Sequence, residues 1–166
     1  MLLSVIIPCY NSSQYLPGAV DSVLENFDDQ VEIIVVDDGS TDDIGSVLEG
    51  LKQRYLQLHS ISQSNQGVAV ARNNGAKSSK GDFLLFLDAD DVICPGGLRA
   101  AVDAIEADEA AHDFYIGRYS IEYEGGTLKC MPATLGNNQG VRNYLAGRLS
   151  IQQGAYLIRR DAYLCA

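Results

Sequence analysis

Two rhythms of apolar residues alternate along this chain. Leu2 to Ile7 is a nearly unbroken aliphatic and β-branched run closed by Pro8, which predicts a strand buried on both faces of a parallel sheet. From Ser12 the period becomes helical: Leu16, Ala19, Val20, Val23, Leu24 and Phe27 share one face, and Asn11, Ser12 or Ser13 is available as the cap. The pattern then repeats. Val31 to Val36 is a second buried strand, and Asp37-Asp38-Gly39-Ser40-Thr41-Asp42 leads into a helix carrying Ile44, Val47, Leu48 and Leu51. A weaker third strand spans Leu56 to Ile61, followed by a helix over Gln66 to Lys77 whose Ala69, Ala71 and Ala76 permit close packing. Asp82 to Leu87 is the fourth strand. After it come the loop Asp88-Ala89-Asp90-Asp91 and a helix opened by Pro95 at a first helical position, carrying Leu98, Ala101, Val102 and Ile105. Four strand-to-helix steps predict an open, mostly parallel α/β sheet.

The last third differs in kind. Phe114 to Tyr123 and Thr127 to Met131 flank the turn signal Glu124-Gly125-Gly126, which predicts a β-hairpin. Asn143 to Leu149 reads as a short helix, and Ala155 to Ile158 as one more strand before Arg159-Arg160-Asp161. At 166 residues, 46% of them hydrophobic, the chain suits one domain better than two. The formal net charge of -10 leaves no basic surface for a nucleic-acid backbone or an anionic membrane. An anionic ligand therefore calls for a local device, such as a bound cation. The amino terminus has no basic leader and its apolar run is too short for a signal peptide or a membrane span, so a cytoplasmic protein is expected. Cys9, Cys94, Cys130 and Cys165 are widely spaced, with no Cys-x-x-Cys pair, and read as reduced bystanders.

In an open α/β sheet, ligands bind outside the carboxyl ends of the strands. Pro8-Cys9-Tyr10-Asn11, Asp37-Asp38-Gly39-Ser40 and Asp88-Ala89-Asp90-Asp91 follow strands one, two and four, so three strand ends converge. Asp88 and Asp90 are two apart, and on an extended backbone their carboxylates project from one face. That geometry suits Mn²⁺ or Mg²⁺, which takes one or two carboxylates and fills its shell with water and substrate phosphates. The loop could equally end a strand and cap the helix near Pro95. Asp-Asp-Gly-Ser is likewise ordinary turn chemistry, although a carboxylate there could accept from the imide N–H of uracil while Tyr10 stacks on the base. Neither Gly-x-Gly-x-x-Gly nor a Walker lysine loop follows strand one, which shifts phosphate binding onto metal and side chains.

Taken in order, Val5-Ile6-Ile7-Pro8-Cys9-Tyr10-Asn11, Val35-Val36-Asp37-Asp38-Gly39-Ser40-Thr41-Asp42, Asn65-Gln66-Gly67-Val68-Ala69-Val70-Ala71-Arg72-Asn73 and Phe86-Leu87-Asp88-Ala89-Asp90-Asp91 resemble the successive motifs of the family 2 glycosyltransferases. The resemblance is strong over roughly residues 2 to 100 and looser beyond. It implies the Rossmann-like GT-A fold: a mostly parallel open sheet, helices on both faces and a C-terminal β-hairpin region. Residues 1–100 would form the nucleotide-binding half and 101–166 the start of the acceptor half of one domain. It further implies that Pro8 and Tyr10, with Asn11 beside them, line the nucleoside pocket. Asp38 would read the base, with Asp37 supporting its loop. Asp90 would hold the metal, and Asp88 would face the ribose or a metal-bound water. Arg72 would contact the diphosphate or hold an aspartate in place, and a structural ion pair is the alternative.

The implied reaction moves a sugar from a nucleotide donor, a UDP-sugar by the Asp38 reading, to a hydroxyl of a glycan or other acceptor, with inversion. In the resembling family the general base comes from an acidic pair after a Gly-Gly-Phe-Asp-like stretch, so the base is expected beyond Ala166. Should it lie within the chain, Glu122, Glu124 and Asp161 are the candidates. Glu122 and Glu124 otherwise read as solvated, and His59 and His112 as structural. Three other readings stand beside the enzyme: a non-catalytic nucleotide-sugar-binding module, a receiver-like phosphoacceptor domain and a nucleotidyltransferase. The second lacks a suitable late lysine, since only Lys129 follows Lys80, and the third lacks a Gly-rich basic entry loop.

Overall fold

The computed structural model describes residues 1–25, 27, 30–116, 120–123, 126–129 and 156–165, with 120–123 and 126–129 described through their backbone. The strands are β1 (Leu3–Cys9), β2 (Val31–Asp37), β3 (Leu58–Ser62), β4 (Phe83–Phe86), β5 (Phe114–Ile116), β6 (Ser120–Tyr123), β7 (Gly126–Lys129) and β8 (Tyr156–Arg159). The helices are α1 (Leu16–Leu24), α2 (Ile44–Arg54), α3 (Val68–Ser78), α4 (Gly97–Glu106) and α5 (Arg160–Leu164). Six strands form one sheet in the order β3-β2-β1-β4-β8-β5. β1 to β4 run parallel, whereas β8 lies antiparallel between β4 and β5. No helix among the described residues is long and apolar enough to cross a membrane.

β1 is continuously apolar because both of its faces are covered. Leu3, Val5 and Ile7 pack with Leu16, Val20 and Val23 of α1, Leu48 of α2 and Val102 of α4. Ile6 packs on the opposite face with Ala71 and Ala76 of α3. Helices thus cover both faces of the sheet. Pro8 does not stop β1, which continues to Cys9 with Pro8 opposite Val36. The Leu87 N–H donates to the Ile6 carbonyl at 3.0 Å, so even-numbered residues of β1 turn their main chain toward β4. Pairing with β4 ends at Ile6 opposite Phe86, and the N–H that Pro8 lacks costs no ladder bond.

Several expected boundaries move for local reasons. α1 starts at Leu16 without a side-chain cap, and the Ser12 main-chain carbonyl instead accepts from the Tyr15 and Leu16 N–H groups. Phe27 is buried beyond the end of α1. β3 starts at Leu58, leaving Leu56 exposed. Pro95 does not open α4. It occupies the second position of a turn closed by the Gly97 N–H donating to the Cys94 carbonyl at 2.8 Å, with Gly96 at φ 75° and ψ -3° in the third position, a type II turn. The Phe114–Tyr123 segment divides, with 114–116 joining the main sheet beside β8 and 120–123 forming the expected hairpin with β7. The helix expected over Asn143–Leu149, the Glu124-Gly125 turn, Cys130 and Met131 lie outside the described residues.

Close packing of α3 rests partly on a different residue from those expected. Ala71 and Ala76 are buried but Ala69 is exposed, and Gly75 takes the tightest position. A Cβ there would lie 2.5 Å from Ile6 Cγ2 and 3.2 Å from Val36 Cγ2. Helix propensity favours Gly75→Ala by about 1 kcal/mol, but overpacking a stiff, β-branched core costs about 1–3 kcal/mol. The variant is expected to be net destabilised by about 1 kcal/mol in urea denaturation; an unchanged or raised midpoint would show that Ile6 and Val36 move aside freely.

Candidate functional site

β2 and β3 extend the sheet to one side of β1 and β4 to the other, so chain direction switches at β1 and opens a crevice at the carboxyl ends. Pro8 is buried at its floor, and Tyr10 stands half-exposed at its rim. Asn11 has φ 51°, a left-handed conformation that asparagine tolerates better than most residues. Its main-chain N–H donates to Ser40 Oγ at 3.0 Å, and its Oδ1 accepts from the Thr41 N–H at 2.7 Å and from the Thr41 hydroxyl at 3.2 Å. Asn11 therefore spends its side-chain oxygen on the neighbouring loop. Cys9 is buried beneath Tyr10, and burial above all pushes its thiol up to about 11, in keeping with an inert packing role.

Asp37 and Asp38 divide their duties. Asp37 Oδ1 accepts from the Ser40 N–H at 2.9 Å, and Oδ2 from the Ser62 hydroxyl at 3.4 Å, which braces the turn after β2. Gly39 in that turn has φ 75°, and a Cβ on it would come within 2.8 Å of the Asn65 nitrogen, so the turn lies directly against the loop after β3. Asp38 binds that loop. Its Oδ1 accepts from Gln63 Nε2 and the Gln66 N–H, each at 2.8 Å, and its Oδ2 from the Gly67 N–H at 2.8 Å. Gln63 is held in turn by Asn74 of α3, whose Nδ2 donates to Gln63 Oε1 at 2.7 Å. Burial raises the Asp38 carboxyl, but the donors from Gln66, Gln63 and Gly67 outweigh it and hold the group below the usual carboxylate range. Three donors fill three of about four lone-pair sites, leaving one on Oδ2.

The segment after β4 is not extended. The Asp91 N–H donates to the Asp88 carbonyl at 3.0 Å, residues 89 and 90 form a turn, and Ala89 is buried in the core. The premise that places Asp88 and Asp90 on one face is therefore absent, and their environments differ. Arg72 NH2 from α3 donates to Asp88 Oδ1 at 2.6 Å, with the two side chains 17% and 33% exposed. Asp90 is exposed and its carboxylate meets no partner among the described residues. No group of three His, Cys, Asp or Glu side chains among the described residues could cage a metal unaided. One free carboxylate with a second nearby fits Mg²⁺ or Mn²⁺, which tolerates few protein ligands when phosphates and water complete its shell.

The sequence profile described as Glycosyl transferase family 2 matches residues 4–164. The chain belongs to that family. Among the relatives of this family 2 chain, glycosyltransferase GlyG of Streptococcus pneumoniae is 32% identical over 119 residues, covering 71% of this chain and 39% of the relative. Chondroitin synthase of Escherichia coli is 31% identical over 127 residues, 76% of this chain and 18% of that protein. The chain thus spans less than half the length of either relative. Residues 1–349 of S. aureus TarS in complex with UDP-GlcNAc match at TM-score 0.62 and 32% identity, covering 69% of this chain and 33% of that 1–349 chain. The mannosyltransferase PcManGT of Pyrobaculum calidifontis, in complex with GDP-Man and Mn²⁺, matches at TM-score 0.67 and 20% identity over 96% of this chain and 44% of its own, a likeness of fold. The mixed, mostly parallel sheet is the GT-A fold.

Within this family 2 chain, the structure brings Tyr10, Asn11, Asp37, Asp38, Arg72, Asp88 and Asp90 to the carboxyl-end side of β1, β2 and β4 over the buried Pro8. It does not bring Asp161 there. β8 runs antiparallel, its Arg159 pairs with Phe83 at the start of β4, and Asp161 therefore follows β8 at the opposite end of the strands, by the amino end of β4. His112 donates from Nδ1 to Asp108 at 2.6 Å in the α4–β5 connection, a structural contact. The side chains of Glu122 and Glu124 lie outside the described residues. Sequence reasoning missed Gln63 and Asn74. Gln63 directly follows β3, so counting that strand's carboxyl end with the other three would have found it.

Proposed function

We propose that this chain is the donor-binding part of a glycosyltransferase that holds a UDP-sugar in the crevice together with Mn²⁺ or Mg²⁺ and passes the sugar, with inversion, to an acceptor hydroxyl. The observation that carries the reading is the pairing of Arg72 with Asp88 beside an unpaired Asp90. One carboxylate is neutralised and fixed, while the other remains free to hold a cation. Tyr10 offers a half-exposed ring for the base, and Asp38 keeps one lone pair for the uracil imide N–H. Asp37 and Asn11 keep those two loops in place. The UDP-GlcNAc complex of TarS supports the choice of donor class. When bound, the cation offsets the charge of the departing diphosphate, which a chain of net charge -10 has little means to do otherwise.

Calorimetric titration with UDP, GDP and ADP, each with and without Mn²⁺, tests the base reading. Uracil should outcompete adenine by roughly tenfold or more, because adenine has no imide N–H to place on the remaining lone pair of the buried Asp38 carboxylate. Equal affinity for ADP and UDP would remove Asp38 as the base reader. The non-catalytic alternative has one observation in its favour: among the described residues, the crevice holds no further free carboxylate to serve as base. Incubation with radiolabelled UDP-sugars, Mn²⁺ and a panel of hydroxyl acceptors separates the two.

A further inference from the structure

Four hydrogen bonds lace the loop after β1 to the loop after β2, and every one passes through a side chain. Three meet at Asn11: its N–H to Ser40 Oγ, and the Thr41 N–H and hydroxyl to its Oδ1. The fourth is the Ser13 N–H donating to Asp42 Oδ2 at 2.8 Å, two residues further along both loops. Tyr10 stands immediately before this seam, where β1 ends with the Asp38 N–H donating to the Cys9 carbonyl at 2.8 Å. The residue after Tyr10 is thus held in a left-handed conformation that few residues adopt unaided. Asp42 is half-buried, and its carboxyl is held below the usual range first of all by the Ser13 N–H, so it is a charged acceptor throughout the neutral range. Ser13 engages its Oδ2, while its Oδ1 is buried and meets no hydrogen-bond partner among the described residues.

Resting on the reading of Tyr10 as the base platform, we propose that Asp42 and Asn11 are positioning residues: they fix the loop after β1 so that the Tyr10 ring is set for the nucleoside before it arrives. A free loop would have to be ordered at the moment of binding, and that ordering would weaken affinity. The clamp removes this cost. It also gives the turn after β2 two roles at opposite ends, with Asp38 facing the loop after β3 and Asp42 facing the loop after β1.

The test is a double-mutant cycle on UDP affinity in the presence of Mn²⁺, with Asp42→Ala, Tyr10→Ala and the double variant, and Asp42→Asn as the conservative control. Asp42→Ala should weaken UDP roughly tenfold, the order expected for one charge-assisted hydrogen bond. Asp42→Asn keeps an oxygen for the Ser13 N–H and should recover most of the loss. In the Tyr10→Ala background, Asp42→Ala should cost less than about twofold, because no ring remains to be placed. The same loss in both backgrounds would overturn the proposal while leaving the nucleotide reading intact. Absence of UDP binding by the unaltered chain would overturn that reading and the proposal with it. Should Asp42→Ala fail to fold, Asn11→Gly removes the other acceptor while keeping the left-handed backbone accessible, and the same background dependence is expected of it.

Discussion

Asp90→Ala is expected to erase the gain in UDP affinity that Mn²⁺ confers, lowering affinity in the presence of the metal by roughly a hundredfold, toward the value measured in chelator. Loss of an outer-sphere partner alone costs metal sites about 10–100-fold, and Asp90 is proposed as a direct ligand. Its carboxylate has no partner among the described residues, so its removal should leave the thermal midpoint unchanged. This separates loss of a ligand from loss of structure. Asp88→Ala should behave differently, because Asp88 neutralises a largely buried Arg72 and its loss strands that guanidinium. Titrations of UDP with Mn²⁺ and with chelator, on both variants and the unaltered chain, decide the matter; an undiminished Mn²⁺ effect in Asp90→Ala would move the metal elsewhere.

Asp38→Ala is expected to have the largest effect of any single change in the crevice, on stability and on binding together. Three donors lose their acceptor, two of them main-chain N–H groups of Gln66 and Gly67 in a part-buried loop. Allowing for solvent reaching the loop, the loss of stability should be about 2–4 kcal/mol at neutral pH, with UDP binding abolished. The sign of its pH dependence follows from the lowered carboxyl. The stabilisation is fully present above the unfolded carboxylate pKa of about 3.9 and is lost as pH falls through the lower folded value. The stability difference between the unaltered chain and the variant should therefore be constant from pH 7 to about 4 and shrink below that. Chemical denaturation at a series of pH values measures it, and a difference that grows on acidification would contradict the assignment.

The Asp88-Ala89-Asp90-Asp91 segment shows where the expected geometry was wrong. Spacing of two suggested Asp88 and Asp90 on one face of an extended segment, but residues 88 to 91 close a turn. Both aspartates still reach the crevice, because the strand end delivers them there whatever the local backbone does. Arg72 was expected to contact the diphosphate, to hold an aspartate in place or to form a structural ion pair, and its 2.6 Å contact with Asp88 is the geometry of the last two. Asn11 was expected to face the nucleotide. Its oxygen turns instead to Thr41, a choice set by a loop some thirty positions away that no local pattern contains.

What the sequence by itself determined is the succession of strands and helices, the burial of β1 and β2 on both faces, and the strand ends at which the candidate site residues gather. These follow from periodicity and strand order, which are local or nearly so. Four ordered motifs also carried the family. What only the tertiary structure decided is how each polar residue spends its hydrogen bonds: Asp38 on the loop after β3, Asn11 and Asp42 between two loops, Asp88 on Arg72, Asp90 on none of the described residues. It also decided that Gly75, not Ala69, admits α3 to the sheet, and that β8 runs antiparallel and carries Asp161 away from the crevice. The reason is physical. A hydrophobic pattern states which face of an element is buried, whereas a polar side chain takes its partner from whatever donor or acceptor the packed fold places within about 3 Å of it.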